Sequence, residues 1–434
     1  MNTHLRQLAR EIFASTLKEC TIESAFARDV EYSRGVLRVR DDLYDLDRYS
    51  RVLTIAIGKA AHSMAAALRG RIGDRASGII AVPHEAGPQL AGFRYYLGGH
   101  PLPNAESMKA GSAILQALRG SNHESFVIFL ISGGASAAVE SPYDPELTLD
   151  DIIGTYSVLV HSGANIAEIN AIRKHLSAIK GGRMAQAAAP AQQLSILVSD
   201  VPEGALDALA SGPTMPDSSS CERCYEIAAR YAMAERFPAA VRDLFVERAL
   251  EETPKADDPA FVRSRWWTLL SSAHAEQIAA ARAAAAGFAV EIDHSCDDWA
   301  FTDAADHLLA RLRELRRGVS RACIISGGEV TVRVPHGCAA GIGGRNQHFA
   351  LYCAEKISGE DIAVLSAGTD GIDGNSEAAG AVVDGSTLVR IGVERARDAL
   401  RRFDAYPALQ NAGDTIMTGP TGNNLRDLRI LLAE

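Results

Sequence analysis

Residues 51–66 read RVLTIAIGKAAHSMAA. The apolar run Arg51–Ile57 predicts a strand, Gly58 breaks it, and the alanine-rich continuation from about Ala60 predicts a helix. The same grammar recurs along the chain. Ser77–Val82, Ser125–Ile131 (SFVIFLI) and Gln193–Val198 read as further strands. The run at 125–131 is apolar on both faces, as expected in the middle of a covered parallel sheet. Asn104–Leu118 reads as a helix, with Pro103 before it and Gly120 just past its end. Strands alternating with helices in this way predict an α/β fold.

Between the third and fourth of these strands, Ile169, Ile172, Leu176 and Ile179 recur at helical spacing and predict one long helix that ends at Gly181 and Gly182. Arg173, Lys174 and Lys180 fall beside or opposite that stripe, on a face that is solvated or turned to a cleft. The pattern weakens from Pro238 to Arg265, where Glu251, Glu252, Pro254, Lys255, Asp257, Asp258 and Pro259 cluster. The expected boundary falls there, with domains at 1–250 and 251–434. Trp266–Ser271, His274–Ala286 and Phe288–Ile292 then read as a fresh strand, helix and strand. More strands are expected at Arg321–Ile325, Val330–Val334 and Ile362–Leu365. Ile-Ser-Gly-Gly closes a strand twice, at 131–134 and at 325–328.

A length of 434 residues suits two domains, and 47% apolar with 23% charged residues is ordinary for a globular protein. The net charge of -10 argues against a nucleic-acid partner, while a few local Arg and Lys suffice for a small anion. No apolar run is long enough for a membrane helix. The N-terminal stretch with Leu5, Leu8, Ile12 and Leu17 reads as an amphipathic surface helix rather than a secretory signal. Seven scattered cysteines suit a reducing compartment, so a cytoplasmic protein is expected. Cys221 and Cys224 form a lone C-x-x-C with no second pair and no histidine nearby in sequence, a weak metal or redox signal.

The chemistry concentrates in six glycine-rich loops that close strands or open helices. They are Gly58-Lys59, Ser132-Gly133-Gly134-Ala135-Ser136, Gly327-Gly328-Glu329, Gly343-Gly344-Arg345-Asn346, Gly368-Thr369-Asp370-Gly371 and Gly419-Pro420-Thr421-Gly422-Asn423. Glycines let a backbone approach a ligand closely, and a following helix N-terminus favours anions. Several of these loops carry Lys, Arg, Asp or Glu, which points to phosphate handling. Neither G-x-x-x-x-G-K-[ST] nor G-x-G-x-x-G is present, so a P-loop and an ordinary dinucleotide fold are disfavoured.

The run from Ser162-Gly163-Ala164-Asn165 through Asn170-Ala171-Ile172-Arg173-Lys174-His175-Leu176-Ser177 to Lys180-Gly181-Gly182-Arg183 resembles the most distinctive stretch of the glycerate 2-kinases. Gly99-His100-Pro101-Leu102-Pro103, Ser211-Gly212-Pro213-Thr214, Gly343-Gly344-Arg345-Asn346-Gln347, Ser366–Gly374, Thr418–Gly422, Asn424 and Asp427-Leu428-Arg429 match in order, so the resemblance covers nearly the whole chain. It implies a Rossmann-like N-terminal domain with a parallel sheet, a smaller α/β C-terminal domain of the MOFRL type, and an active site in the cleft between them. It also implies ATP, Mg²⁺ and D-glycerate, phosphorylated at the 2-hydroxyl.

Carried over motif by motif, Lys59, Arg345 and Asp370 are the expected catalytic residues, and Asp200 and Asp370 the expected metal ligands. Gly58, Ser132, Gly133, Gly134, Ser136, Asn165, Lys180, Gly328, Glu329, Asn346, Asn423 and Asn424 are expected around the nucleotide. Lys59 suits a mobile point charge, and Arg345 a bidentate fork on phosphate or carboxylate. Ser132 and Ser136 serve a phosphate or cap a helix, Asp373 shapes a turn, and His100 and His175 are structural or acid–base groups. The chain departs from the family where Pro202–Asp207 replaces a Gly-Asp-Asp run, and where His348 stands in place of a common acidic residue. The competing readings are a hydroxypyruvate reductase, which needs a nicotinamide site, and a non-catalytic sensor of phosphorylated metabolites. No nucleic acid or membrane is expected as a partner, and a homodimer is left open.

Overall fold

A computed structural model describes residues 3–335 and 337–434. Its strands are β1 Val30–Ser33, β2 Val36–Val39, β3 Asp42–Asp45, β4 Arg51–Ile57, β5 Gly78–Val82, β6 Phe93–Leu97, β7 Ser125–Ser132, β8 Gln192–Val198, β9 Ser264–Leu270, β10 Ala289–Ile292, β11 Ala322–Gly327, β12 Ile362–Gly368, β13 Gly380–Asp384, β14 Thr415–Ile416 and β15 Asp427–Ala433. The chain forms two compact units, Ala25–Leu269 and the residues up to Ser24 together with Leu270–Glu434.

In the Ala25–Leu269 unit a six-stranded sheet has the order β6-β5-β4-β7-β8-β9, and β6, β5, β4, β7 and β8 pair in parallel. The central strand β7 is buried along its whole length, as an apolar run with helices on both sides requires. A three-stranded antiparallel meander, β1-β2-β3, precedes it. β9 is the edge strand of this sheet. The sequence places it in a second domain because an acidic, proline-rich stretch precedes it, but that stretch is a loop within the first unit.

The other unit has a mixed sheet of order β10-β11-β15-β12-β13-β14, in which only β10 and β11 pair in parallel. Its strands alternate between two cores. Cys323, Ile325, Leu428, Ile430 and Leu432 pack against the helix Ser272–Ala285 and the N-terminal helix Thr3–Glu19, through Leu5, Ala9, Ile12 and Phe13. Ile324, Val364 and Leu431 face Leu308, Leu309 and Leu312 on one helix and Phe349 and Cys353 on another. The first helix in the chain therefore belongs to the core of the last sheet, not to a 1–250 domain.

Two further expectations fail locally. The helix predicted through Ile179 runs only Ile166–Leu176, because Ser177 turns to extended backbone and bridges Pro142. Ile179 then packs in a different core from Ile169, Ile172 and Leu176. Val330–Val334 is no strand, and only Thr331 makes an isolated bridge, to Ala300. Among the described residues no helix is long and apolar enough to cross a membrane.

Lys180 is fully buried and pairs with Glu140, which also accepts from the Tyr156 and Ser177 hydroxyls. Lys180→Ala, which leaves that carboxylate buried without its cation, should cost about 3–5 kcal/mol in a urea unfolding curve. A loss under about 0.5 kcal/mol would mean that the two hydroxyls hold Glu140 unaided. His348 is buried between Phe301, edge-on at 4.7 Å, and Phe403, stacked at 5.3 Å, and burial pushes its imidazole down to about 4. The unfolded chain takes up this proton near 6.5 and the folded chain only near 4, so folding loses stability as pH falls through that window. His348→Phe should therefore gain about 3 kcal/mol relative to the parent between neutral pH and pH 4. Parallel pH profiles of the two unfolding midpoints would refute this.

Candidate functional site

Three parallel strands, β4, β7 and β8, end together in loops that carry Gly58-Lys59, Ser132-Gly133-Gly134 and Asp200. In open α/β sheets this carboxyl edge is where ligands bind. The first two turns interlock. Lys59 N–H donates to the Gly133 carbonyl at 2.9 Å, and Ala60 N–H donates to Ser132 Oγ at 3.0 Å. Ser132 thus tethers the entrance of the helix Ala61–Ile72. Gly58 has φ +108°, and a Cβ there would overlap the Ser132 carbonyl, so only glycine permits the contact.

The Gly133-Gly134 turn is flanked on both glycines. A Cβ at Gly133 would overlap the Asp200 carboxylate, and one at Gly134 would lie 3.1 Å from Lys59 Cγ. Lys59 is exposed and makes no ion pair among the described residues. The His100 imidazole, held below its ordinary pKa by burial and then by Lys59 and His84, stands close by. His84 and His100 were not expected to meet, and their rings lie edge to face at 6.3 Å.

The remaining predicted residues of this unit have partners within the protein. Ser136 Oγ meets Ser211 Oγ at 2.9 Å. Ser211 and the adjacent Ala210 both hold left-handed backbone, at φ +61° and +54°. For non-glycine residues this costs of the order of 1–2 kcal/mol each, the kind of strain that gathers at functional sites. Asn165 caps the helix Ile166–Leu176 by accepting from Glu168 N–H at 3.0 Å. Lys180 is held by Glu140. Lys174 is not solvated but buried, paired with Asp217 at 3.0 Å and with Asp207 at 2.9 Å. Asp207 belongs to the segment that stands where the family has its Gly-Asp-Asp run.

The other unit gathers a second set of charges. Arg345 Nε and Nη2 donate to the two oxygens of Asp427 at 2.6 and 3.1 Å, and Nη2 also meets Glu329 at 2.8 Å. The fork expected to grip a ligand is thus turned on Asp427, which leaves Nη1 without a partner among the described residues. These carboxylates hold the guanidinium well above its ordinary pKa against the opposing pull of burial, while burial raises Glu329. Gly328 has φ +86°, with Asp297 packed against it, and the Asp297 carboxylate accepts Glu329 N–H at 3.0 Å and both Arg426 terminal nitrogens at 2.6 Å.

Helix Arg345–Lys356 does not offer the Asn346 and Gln347 amides to a ligand. Asp373 takes them, accepting from Asn346 N at 3.1 Å and Gln347 N at 2.8 Å. Burial lifts this carboxyl to about 6 despite those donors. The Asn346 side chain is engaged within the protein, by Asp373 at 3.2 Å and Ser366 at 2.6 Å. Asn423 Nδ2 donates to the Cys20 carbonyl at 2.7 Å, and Asn424 accepts Arg426 N–H at 2.9 Å. Asp370 accepts Ile372 N–H at 3.1 Å through one oxygen. Together with Arg345, Asp373 and His348 it lines a cavity of about 640 Å³.

Asp427, Asp297 and His84 are absent from the sequence-based set. Asp427 alone left a signal, inside the quoted Asp427-Leu428-Arg429 match. For a divalent metal, Asp200 and Asp370 offer the hard oxygen donors that Mg²⁺ takes. Both are partly accessible, in keeping with an ion that retains water.

Residues 8–246 match a family model described as a domain of unknown function, DUF4147, and residues 322–427 match the MOFRL family. A D-glycerate 2-kinase of Thermotoga maritima is 36% identical over 391 residues, covering 88% of this chain and 90% of that protein. A protein of Agrobacterium vitis carried under a provisional hydroxypyruvate reductase name is 35% identical, covering 88% of this chain and 87% of its own. The solved structure of glycerate kinase from Thermotoga maritima superposes with a TM-score of 0.85 at 32% identity, covering 99% of each chain. With 36% identity to a D-glycerate 2-kinase over 88% of the chain and a MOFRL match over residues 322–427, the chain belongs to the glycerate 2-kinase family with a C-terminal MOFRL domain.

Proposed function

We propose that this chain transfers the γ-phosphoryl group of ATP to D-glycerate, at the 2-hydroxyl, in a reducing cytoplasm. The observation that carries the reading is the alignment with a D-glycerate 2-kinase over 90% of that protein's length. The residues support it physically. Phosphoryl transfer needs positioning and neutralisation of oxygens that gather charge, more than covalent help from the protein. Lys59, exposed and anchored through its own backbone to Gly133, supplies a mobile positive charge at the strand ends. Arg345 is immobilised by Asp427 and Glu329 and presents Nη1 as a fixed donor to a phosphate or carboxylate oxygen. Ser132 serves by fixing the Lys59 turn.

Mg²⁺, held by Asp200 or Asp370, would neutralise phosphate oxygens as they gather charge. Asp200 sits against the Gly133 backbone, which positions a carboxylate beside the lysine turn. The reductase reading is disfavoured because the chain has no dinucleotide fingerprint. A pure sensor has little use for an exposed lysine and carboxylates gathered at the same loops.

The test is a Mg²⁺-ATP assay with D-glycerate, coupled to enolase without phosphoglycerate mutase. Signal without mutase reports 2-phosphoglycerate, and signal only after mutase is added would move the reaction to the 3-hydroxyl. Lys59→Ala should lower turnover at least about 100-fold while the unfolding midpoint stays near that of the parent. Turnover close to the parent's would remove Lys59 from the site.

A further inference from the structure

The C-x-x-C pair that the sequence left without a histidine acquires one in the fold. Cys221 and Cys224 open the helix Cys221–Arg230, and His175 lies in the last turn of the helix Ile166–Leu176, packed against it. His175 is 1% exposed. Its Nδ1–H donates to the Ala171 carbonyl at 2.8 Å, which fixes the tautomer and leaves the Nε2 lone pair pointing away from that bond. Among the described residues Nε2 has no hydrogen-bond partner. Glu252 Oε2 lies 3.6 Å from it, and Cys221 Sγ, the Glu252 carboxylate and Nε2 all lie within 4.8 Å of one another.

A buried, neutral imidazole nitrogen without a donor is a desolvated lone pair, and proteins rarely leave one unused. Metal-ligating histidines are held in this way, with the second ring nitrogen bonded to a carbonyl that orients the ring. Nitrogen, sulfur and carboxylate oxygen together select a borderline-soft divalent ion of the zinc type over Mg²⁺ or Ca²⁺. Zinc bonds of about 2.0–2.3 Å place tetrahedral ligands roughly 3.4 Å apart. The 3.6 Å between Nε2 and Oε2 is already near that edge. The partly exposed Cys221 side chain has to close in, giving up its weak S–H bond to the Leu250 carbonyl at 3.3 Å.

Lys255 now holds Glu252 at 2.8 Å, but it also donates to Thr253 Oγ1 at 2.9 Å and to the Ser219 carbonyl, so it can release the carboxylate and stay bonded. A cavity of about 180 Å³, lined by His175, Tyr143, Leu147 and Leu250, adjoins the cluster and offers a route in. The other mixed group, Asp293, Cys296 and His307, lacks the decisive feature. Its imidazole Nε2 is already engaged by Asp293 at 2.8 Å.

We propose that His175 Nε2, Cys221 Sγ and Glu252 form a three-ligand site for a zinc-type divalent cation, separate from the phosphoryl-transfer residues, clamping the segment around Glu252 onto the two helices. Cys224 is not a ligand, because its sulfur lies 3.3 Å from Nδ1, on the carbonyl-bonded side of the ring.

The experiment is a Co²⁺ titration of the full chain after chelator treatment, read by absorbance. One equivalent should give a thiolate-to-cobalt charge-transfer band together with visible ligand-field bands, and Zn²⁺ should abolish both. Cys221→Ser should lose the charge-transfer band and Cys224→Ser should keep it. His175→Gln and Glu252→Gln should each weaken Co²⁺ binding at least about tenfold. Glu252→Gln is a half-exposed change that keeps the conclusion readable if the histidine variant fails to fold. Absence of the band in the parent overturns the site. So does a band that survives in Cys221→Ser, as the exposed Cys338 would give, or one that is lost in Cys224→Ser.

Discussion

Where β4 and β7 end side by side, two glycine turns pass so closely that Gly58 tolerates no side chain toward the Ser132 turn. Gly58 leaves room for the Ser132 carbonyl, Lys59 N–H closes on the Gly133 carbonyl, and Ser132 Oγ takes the next amide. This contact converts a parallel pair of apolar strands into a fixed platform. Lys59 leaves it with its stem laid across Gly134, while Asp200 approaches Gly133 from β8. The register of three buried strands therefore decides where a cation and an anion stand, and small residues at the crossing are what make that transfer of order possible.

The other unit reaches a comparable rigidity by a different route, through charge. Arg345 is gripped by Asp427 and Glu329, Arg426 by Asp297, and the first amides of a helix by Asp373. Each arginine fork draws two loops together that lie far apart in sequence. Loops of this kind carry most of the functional groups, and without such clamps they would have to be ordered on ligand binding, at an entropic cost.

The fold class and most of its strands were legible because strands buried on both faces are continuous apolar runs, and β7 is the plainest case. The glycine turns were legible for the same reason, since each interrupts such a run. What escaped local reading is what depends on distance along the chain. Nothing near Arg345 announces Asp427, and nothing near Glu329 announces Asp297. Ile179 continued a helical spacing, although Ser177 had already left the helix to bond across to the Ser141–Pro142 turn. The acidic stretch before β9 read as a border because composition shifts mark any long exposed loop, including one that lies inside a sheet's own unit. Asn346 and Lys180 stood in recognisable motifs, yet burial engages both with partners inside the protein.

One feature of the second sheet bears on how the chain is made. Its core is assembled from segments that precede and follow the Ala25–Leu269 unit in sequence, with the helix Thr3–Glu19 on one face and β15, residues 427–433, at a central position between β11 and β12. During synthesis the early helix emerges with its apolar stripe and waits for a sheet whose strands all follow the Ala25–Leu269 unit. The inserted unit, contiguous in sequence, has all its strands in hand far sooner. The order of the ribosome thus makes the inserted unit the natural first body to fold, and leaves Leu5, Ile12 and Phe13 without the helix and strands they pack on until residues beyond Leu270 follow.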